Sequence, residues 1–330
     1  FTRKAPYQYG WDWGPRLLTS GIWRPVRLKA WSTARIENVR IIQESLESRK
    51  AELIAVVRVR ATKDTPARLS LDINEVGVCQ KDVFLNTGEN TFELKFDISD
   101  PIRWWCNGLG EPHLYELETL LSVDRKVIDS EHVKFGVRTI ELIREPDAAG
   151  SSFYFKLNGH PVYMRGANVI PFDYFPARVT REKYEIMIKV AVDANMNMLR
   201  AWGGAFYEDD AFYESCDEHG ILVWQDFMFA CGMYPGDDEF LQSVREEAIY
   251  NIVRLRNHPC LALWCGNNEI LEGFHNWGWK EEIGEENVAS AFDSYRKLFD
   301  QLLPEVLAHH DPQRPYWQSS PSSDFNELLS

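Results

Sequence analysis

Positive charge is what this chain is short of. Its 330 residues carry 36 Lys and Arg against 50 Asp and Glu, a net charge of −14. Such a field repels phosphate backbones and anionic lipid surfaces, which excludes nucleic acid as a partner and favours a neutral ligand. Long apolar runs are lacking as well. None approaches the roughly 20 residues that cross a bilayer, and Phe1-Thr2-Arg3-Lys4 shows no signal-like apolar core, so no membrane insertion is expected. A start on Phe1 rather than Met leads us to expect a piece of a longer protein. There is no Cys-x-x-Cys among the six cysteines, and their spacing matches no disulfide scaffold, so they should be buried thiols that leave the compartment undecided. The absence of any Asn-x-Ser/Thr sequon slightly disfavours a glycosylated secretory protein. His-Glu-x-x-His, Gly-x-x-x-x-Gly-Lys and Gly-x-Gly-x-x-Gly are absent too, and we expect no cofactor or metal.

What is present divides into three stretches. Residues 1–32 hold Trp11-Asp12-Trp13-Gly14-Pro15-Arg16 and a strand-like Trp23 to Trp31, too little to fold alone; they should be the end of another domain. Residues 33–143 show about seven strands with turn signals between them, such as Leu53 to Arg60, Thr91 to Phe96 and Tyr115 to Val123, which is the rhythm of a sandwich. The run Val133 to Leu142 reads as its last strand. From 144 to 330 the rhythm becomes strand–helix alternation. Thr180 should cap one helix, Gly220 should end the next, and Asp237-Asp238-Glu239 should open a third. The intervening strands end at Asn168, Trp202, Asp226 and Glu269, and Pro315 to Ser319 reads as a fifth. Alternation of this kind implies a parallel sheet, most simply a (β/α)8 barrel of which five strands are present.

The run Leu261-Ala262-Leu263-Trp264-Cys265 reads as a strand buried on both faces. It gives way to Gly266-Asn267-Asn268-Glu269 and an aromatic loop containing Phe274, Trp277 and Trp279. A carboxyl at the carboxyl end of such a strand stands where barrel enzymes keep their chemistry, and indoles beside it would exclude water, a setting suited to a general acid. Asn168, Arg200 with Trp202, and Gln225 with Asp226 occupy the corresponding strand ends. Caps and turn formers explain any one of these positions; four polar or aromatic strand ends together point to a site.

Several segments resemble glycoside hydrolase family two. These are Trp104-Trp105 with Asn107 to Tyr115, Phe135-Gly136-Val137-Arg138-Thr139, Asn158-Gly159-His160-Pro161 through Asn168, and Asn257-His258-Pro259 with Trp264 to Glu269. Within the family, Gly10 to Arg16 and the doubled Asn before Glu269 are similar to the β-mannosidase branch. The resemblance implies an immunoglobulin-like β-sandwich followed by an incomplete (β/α)8 TIM barrel, preceded by the tail of a jelly-roll sugar-binding-like domain. It implies a retaining exo-hydrolase acting on a neutral β-mannoside oligosaccharide, with another exo-glycosidase of the family, or a non-catalytic sugar-binding piece, as alternatives. Glu269 would be the acid/base and Asn268 would bind the sugar 2-hydroxyl. Arg200 would keep the nucleophile ionised, and Trp202 and Trp277 would wall the pocket. Trp11 and Asp12 would reach in from the first segment. Taken without the resemblance, Asp12 reads as a turn residue. The nucleophile is expected beyond Ser330, so this chain alone should be inactive.

Overall fold

A computed structural model of the chain describes residues 2–148 and 150–322. Seven antiparallel strands come first: β1 (Ala34–Leu46), β2 (Lys50–Ala61), β3 (Thr65–Ile73), β4 (Gly77–Leu85), β5 (Gly88–Ser99), β6 (Tyr115–Val123) and β7 (Lys126–Phe135). They form two sheets, β1-β2-β5 and β4-β3-β6-β7. Alternation dictates the packing. In β6, Tyr115, Leu117, Thr119, Leu121 and Val123 point inward, and their neighbours face out. Across the gap lie Leu53, Ala55, Val57 and Val59 of β2. Each fully buried Leu or Val here is worth about 1.5–3 kcal/mol relative to exposure.

The stretch read as one strand from Val133 to Leu142 is two. β7 stops at Phe135, and β8 (Ile140–Ile143) joins β9 (Tyr154–Leu157) and β10 (His160–Val162) in a separate small sheet. The break falls at Gly136. A Cβ there would lie 2.8 Å from Pro259 and 2.9 Å from Trp104, so only glycine lets the chain pass between the two layers.

A five-stranded parallel sheet follows, in the order β11 (Gly166–Val169), β12 (Met198–Ala201), β13 (Leu222–Asp226), β14 (Leu261–Cys265) and β15 (Tyr316–Trp317). The helices α1 (Arg181–Asp193), α2 (Asp210–His219) and α3 (Asp238–Leu255) connect the first four strands. Their ends follow the local chemistry. Thr180 accepts from the Lys183 amide, Asp237 accepts from the Phe240 amide, and Gly220 closes α2 in the left-handed conformation. All five residues of β14 are buried, as a strand covered on both faces requires.

Two segments depart from the sequence expectation. Trp23 to Trp31 forms no strand; Val26 is 80% and Leu28 99% exposed, and among the described residues no strand pairs with it. The aromatic stretch after Glu269 is not an open loop but two short helices, α4 (Ile270–Asn276) and α5 (Trp279–Ile283), because Ile270, Leu271 and Phe274 turn into the core. The long helical region beyond is α6 (Glu285–Tyr295), a π-helical stretch over Arg296–Leu302, and α7 (Leu303–His310).

Candidate active site

The carboxyl ends of β12, β13 and β14 bring Arg200, Asp226, Asn268 and Glu269 into one hydrogen-bonded chain. Arg200 donates from Nε to Asp226 Oδ1 at 3.2 Å and from Nη2 to Asp226 Oδ2 at 2.8 Å. The same Nη2 donates to Asn268 Oδ1 at 3.0 Å, and Nη1 reaches Asn168 Oδ1 at 3.5 Å. With its oxygen held by the guanidinium, the Asn268 amide presents Nδ2 to Glu269 Oε2 at 2.9 Å. The orientation of a side-chain amide is set by such a network.

Asp226 is fully buried and saturated. Besides Arg200 it accepts the Gly203 amide at 2.9 Å and the Trp224 indole at 2.9 Å. Burial pushes its carboxyl up, and the guanidinium and the two N–H donors oppose this. Burial would lower the Arg200 pKa, but the charge and hydrogen bonds of Asp226 outweigh it and hold it above the ordinary arginine value. With a permanently charged group bonded to both oxygens, the pair is ionised. Asp226 is therefore the anchor of Arg200, a role the sequence reading did not give it.

Neighbouring residues on the same strands face elsewhere. Gln225, expected at the site, is fully buried on the opposite side, where it accepts from the Tyr213 hydroxyl of α2 at 2.6 Å. The doubled asparagine is likewise divided. Asn267 is structural: it donates to the Gln318 carbonyl at 2.9 Å and accepts from Ser319 Oγ at 2.7 Å, tying β14 to the segment after β15. Only Asn268 faces the arginine.

Glu269 adopts a left-handed backbone (φ 60°, ψ 16°), unusual for a residue with a Cβ, and its amide donates to the Ser320 carbonyl at 3.0 Å. The carboxyl has a second neighbour that the sequence did not suggest. Cys231 Sγ lies 3.2 Å from Glu269 Oε2 and 3.5 Å from Asn268 Nδ2. Burial, then the carboxylate beside it, push this thiol up to about 12, so it stays protonated and donates. No spacing could have found it: Cys231 is 38 residues away in sequence and is brought in by the Ala230–Asn268 bridge and the Cys231 amide bonded to the Asn268 carbonyl at 3.0 Å.

Aromatic rings lie on one side. Trp202 is buried against the N-terminal segment, with Trp11 edge-on at 4.8 Å and Trp13 at 6.2 Å between ring centres. A Cβ on Gly204 would come within 1.9 Å of the Trp202 ring, so glycine is needed for the indole to lie there. Trp11 and Gly14 close a tight turn by exchanging backbone hydrogen bonds at 3.0 and 3.1 Å, and Asp12 stands exposed at its tip. Asp12 is thus a turn residue and also the neighbour of the indole on Trp202. Trp277 is not brought into this group. It is 45% exposed and packs edge-on against Trp279 at 5.8 Å. A cleft of about 980 Å³ lies between the N-terminal segment and the Phe175–Ala177 and Ala205–Tyr207 loops rather than over Glu269.

Comparison with known proteins gives the family of the matched segments. Residues 34–138 match the family described as Glycosyl hydrolases family 2, and residues 1–24 match Glycosyl hydrolase 2 galactose-binding domain-like. The crystal structure of a β-D-mannosidase from Dictyoglomus thermophilum superposes with a TM-score of 0.88 at 41% identity, over 97% of this chain and 39% of that one. The chain carries a glycosyl hydrolase family 2 domain. Among other relatives, Beta-mannosidase B of Aspergillus clavatus is 37% identical over 328 residues, 98% of this chain and 39% of its own length. Its namesake from Aspergillus flavus is 38% identical over the same span. The chain thus spans about two fifths of the length of the relatives it matches. A β-glucuronidase of Bacteroides uniformis, at 19% identity and a TM-score of 0.74, shares the fold alone.

Proposed function

We propose that the chain is the central part of a retaining exo-β-mannosidase that removes terminal β-mannose from neutral oligosaccharides. In this reading the two-sheet sandwich (33–143) is immunoglobulin-like, and residues 144–330 supply the first five strands of a (β/α)8 barrel. Residues 1–32 end a jelly-roll domain. The observation that carries the proposal is the Arg200–Asn268–Glu269 relay at the strand carboxyl ends, where barrel enzymes work.

The geometry is compatible with each role in this reading. Glu269 is the acid/base: it protonates the departing glycosidic oxygen and then takes a proton from water. Its side chain is held from two sides, by the Asn268 amide and the Cys231 thiol. Asn268 lies between the guanidinium and Glu269, placed to meet the 2-hydroxyl of a bound sugar, a contact that strengthens as the oxocarbenium ion develops. Arg200 contributes positive charge beside the nucleophile, which this reading puts on a later strand. Trp202 and Trp11 form an apolar wall, Asp12 offers a carboxylate to distal hydroxyls, and Trp277 lies on the rim.

Assaying the whole protein against nitrophenyl β-mannoside, β-glucosaminide and β-galactoside tests the substrate. Preference for the mannoside supports the proposal. Preference for either other sugar sinks it and leaves the fold intact.

A further inference from the structure

Where the sandwich meets the parallel sheet, positive charge gathers in a chain whose overall charge is −14. A cavity of about 210 Å³ opens in this seam, lined in part by Arg138, Arg256, Gln313 and Arg314. Arg138 is 9% and Arg256 8% exposed. Guanidinium groups do not neutralise one another, and each must be matched by an acceptor or a counter-charge.

Acceptors match some of the donors. Arg138 donates from Nε to the Pro259 carbonyl at 2.7 Å and from Nη2 to the Leu261 carbonyl at 2.6 Å. Arg314 donates to the carbonyls of Leu261, Arg256 and His258 at 2.8 to 3.0 Å. Arg256 donates from Nη1 to the His310 carbonyl at 3.1 Å and from Nη2 to Asn38 Oδ1 at 2.5 Å, while its Nε is buried without a partner. Carbonyls satisfy hydrogen bonds but carry no net charge.

Counter-charge is scarcer. Asp311 lies 3.5 Å from Arg314 Nη1, and its other oxygen accepts the Trp264 indole. Asp217 is engaged by the His258 ring and the Cys260 amide. Arg40 and Arg58 add like charge around Arg256. Burial, reinforced by neighbouring arginines, pushes Arg138 down to about 9 and Arg256 down to about 10.

We propose that this seam binds a small tetrahedral oxyanion of the phosphate or sulfate class, held by the guanidinium charge of Arg138, Arg256 and Arg314, which line the cavity. The cavity has room for several waters and hence for such an ion. Planar, weakly hydrated guanidinium groups are suited to oxyanions, and charge-assisted bonds of this kind are the stronger ones. The bound ion joins the segment between β7 and β8 (Arg138) to the layers around β14 (Arg256 and Arg314). The site is independent of the glycosidase reading.

Thermal unfolding of the whole protein against inorganic phosphate, at constant ionic strength set with sodium chloride, tests this. A saturable rise in Tm is expected, as for any ligand that binds only the folded state. Arg256→Gln should move the midpoint of that rise upward by roughly tenfold or more. Gln313→Glu, which leaves every arginine in place and sets a carboxylate at the cavity wall, should weaken it as well and decides the matter if the arginine variant does not fold. No saturable rise in the wild type, or superimposable curves for wild type and Gln313→Glu, would overturn the proposal.

Discussion

Arg200 grips Asp226 through two guanidinium nitrogens, at 2.8 and 3.2 Å, where Asp226 has no exposure to solvent at all. Removing one member of such a buried pair leaves the other uncompensated. Asp226→Asn should therefore destabilise the protein by about 3–5 kcal/mol. Denaturant unfolding measures this, and a loss below about 1 kcal/mol would mean that the pair is not the anchor described here.

Glu269→Ala in the whole protein should slow glycosides with poor leaving groups far more than activated aryl glycosides, because only the former need a proton on departure. Azide should rescue the variant by replacing the water that needs a base. Equal losses on both substrate classes would remove Glu269 from the acid/base role.

Asp12→Ala should lower kcat/KM on mannosides by about tenfold or more, the loss expected when sugar hydroxyls go unmatched. Its exposed place at the tip of the Trp11–Gly14 turn means Tm should barely move. A wild-type kcat/KM would exclude the N-terminal segment from substrate binding.

Glu208 gives a pH dependence with a definite sign. It is buried, accepts from the Tyr184 hydroxyl at 2.6 Å, and burial raises its pKa from 4.5 to about 7. A carboxyl raised on folding prefers its protonated form in the native state. Its contribution is complete below about pH 4.5 and is lost as pH rises through about 7, on the order of 3 kcal/mol. Glu208→Gln should flatten the dependence of Tm on pH across that window. An unchanged slope would show that Glu208 does not titrate there.

The 330-residue chain expressed by itself should release no nitrophenol from nitrophenyl β-mannoside above background. Retaining hydrolysis needs a second carboxylate about 5–5.5 Å from the acid/base. The carboxylate joined to Glu269 through Asn268 and Arg200 is Asp226, whose oxygens are both committed. Turnover by this chain that disappears in Glu269→Ala would overturn the expectation.

The amino-acid sequence by itself determined the periodic features. The alternation in Tyr115–Val123 marks a strand with one buried face, the uninterrupted Leu261–Cys265 marks a strand buried on both, and Thr180, Gly220 and Asp237 mark helix ends. These are local consequences of side-chain direction and backbone hydrogen bonding, so a short window suffices to see them. Glu269 was legible as a candidate for the same reason, as a carboxyl at the end of a buried strand.

Tertiary structure decided what no window contains. Which of Asn267 and Asn268 faces the site, whether Gln225 or Asp226 points inward, and the arrival of Cys231 beside Glu269 depend on strand register and on segments that meet across 12 to 52 residues of chain. The fate of Trp23–Trp31 depended on the same thing: its composition suits a strand, but a strand exists only where a neighbour completes its hydrogen bonds. Propensity can nominate a segment or a side chain. Register, burial and the pairing of charges then determine what it does, because those energies belong to pairs of residues far apart in the chain.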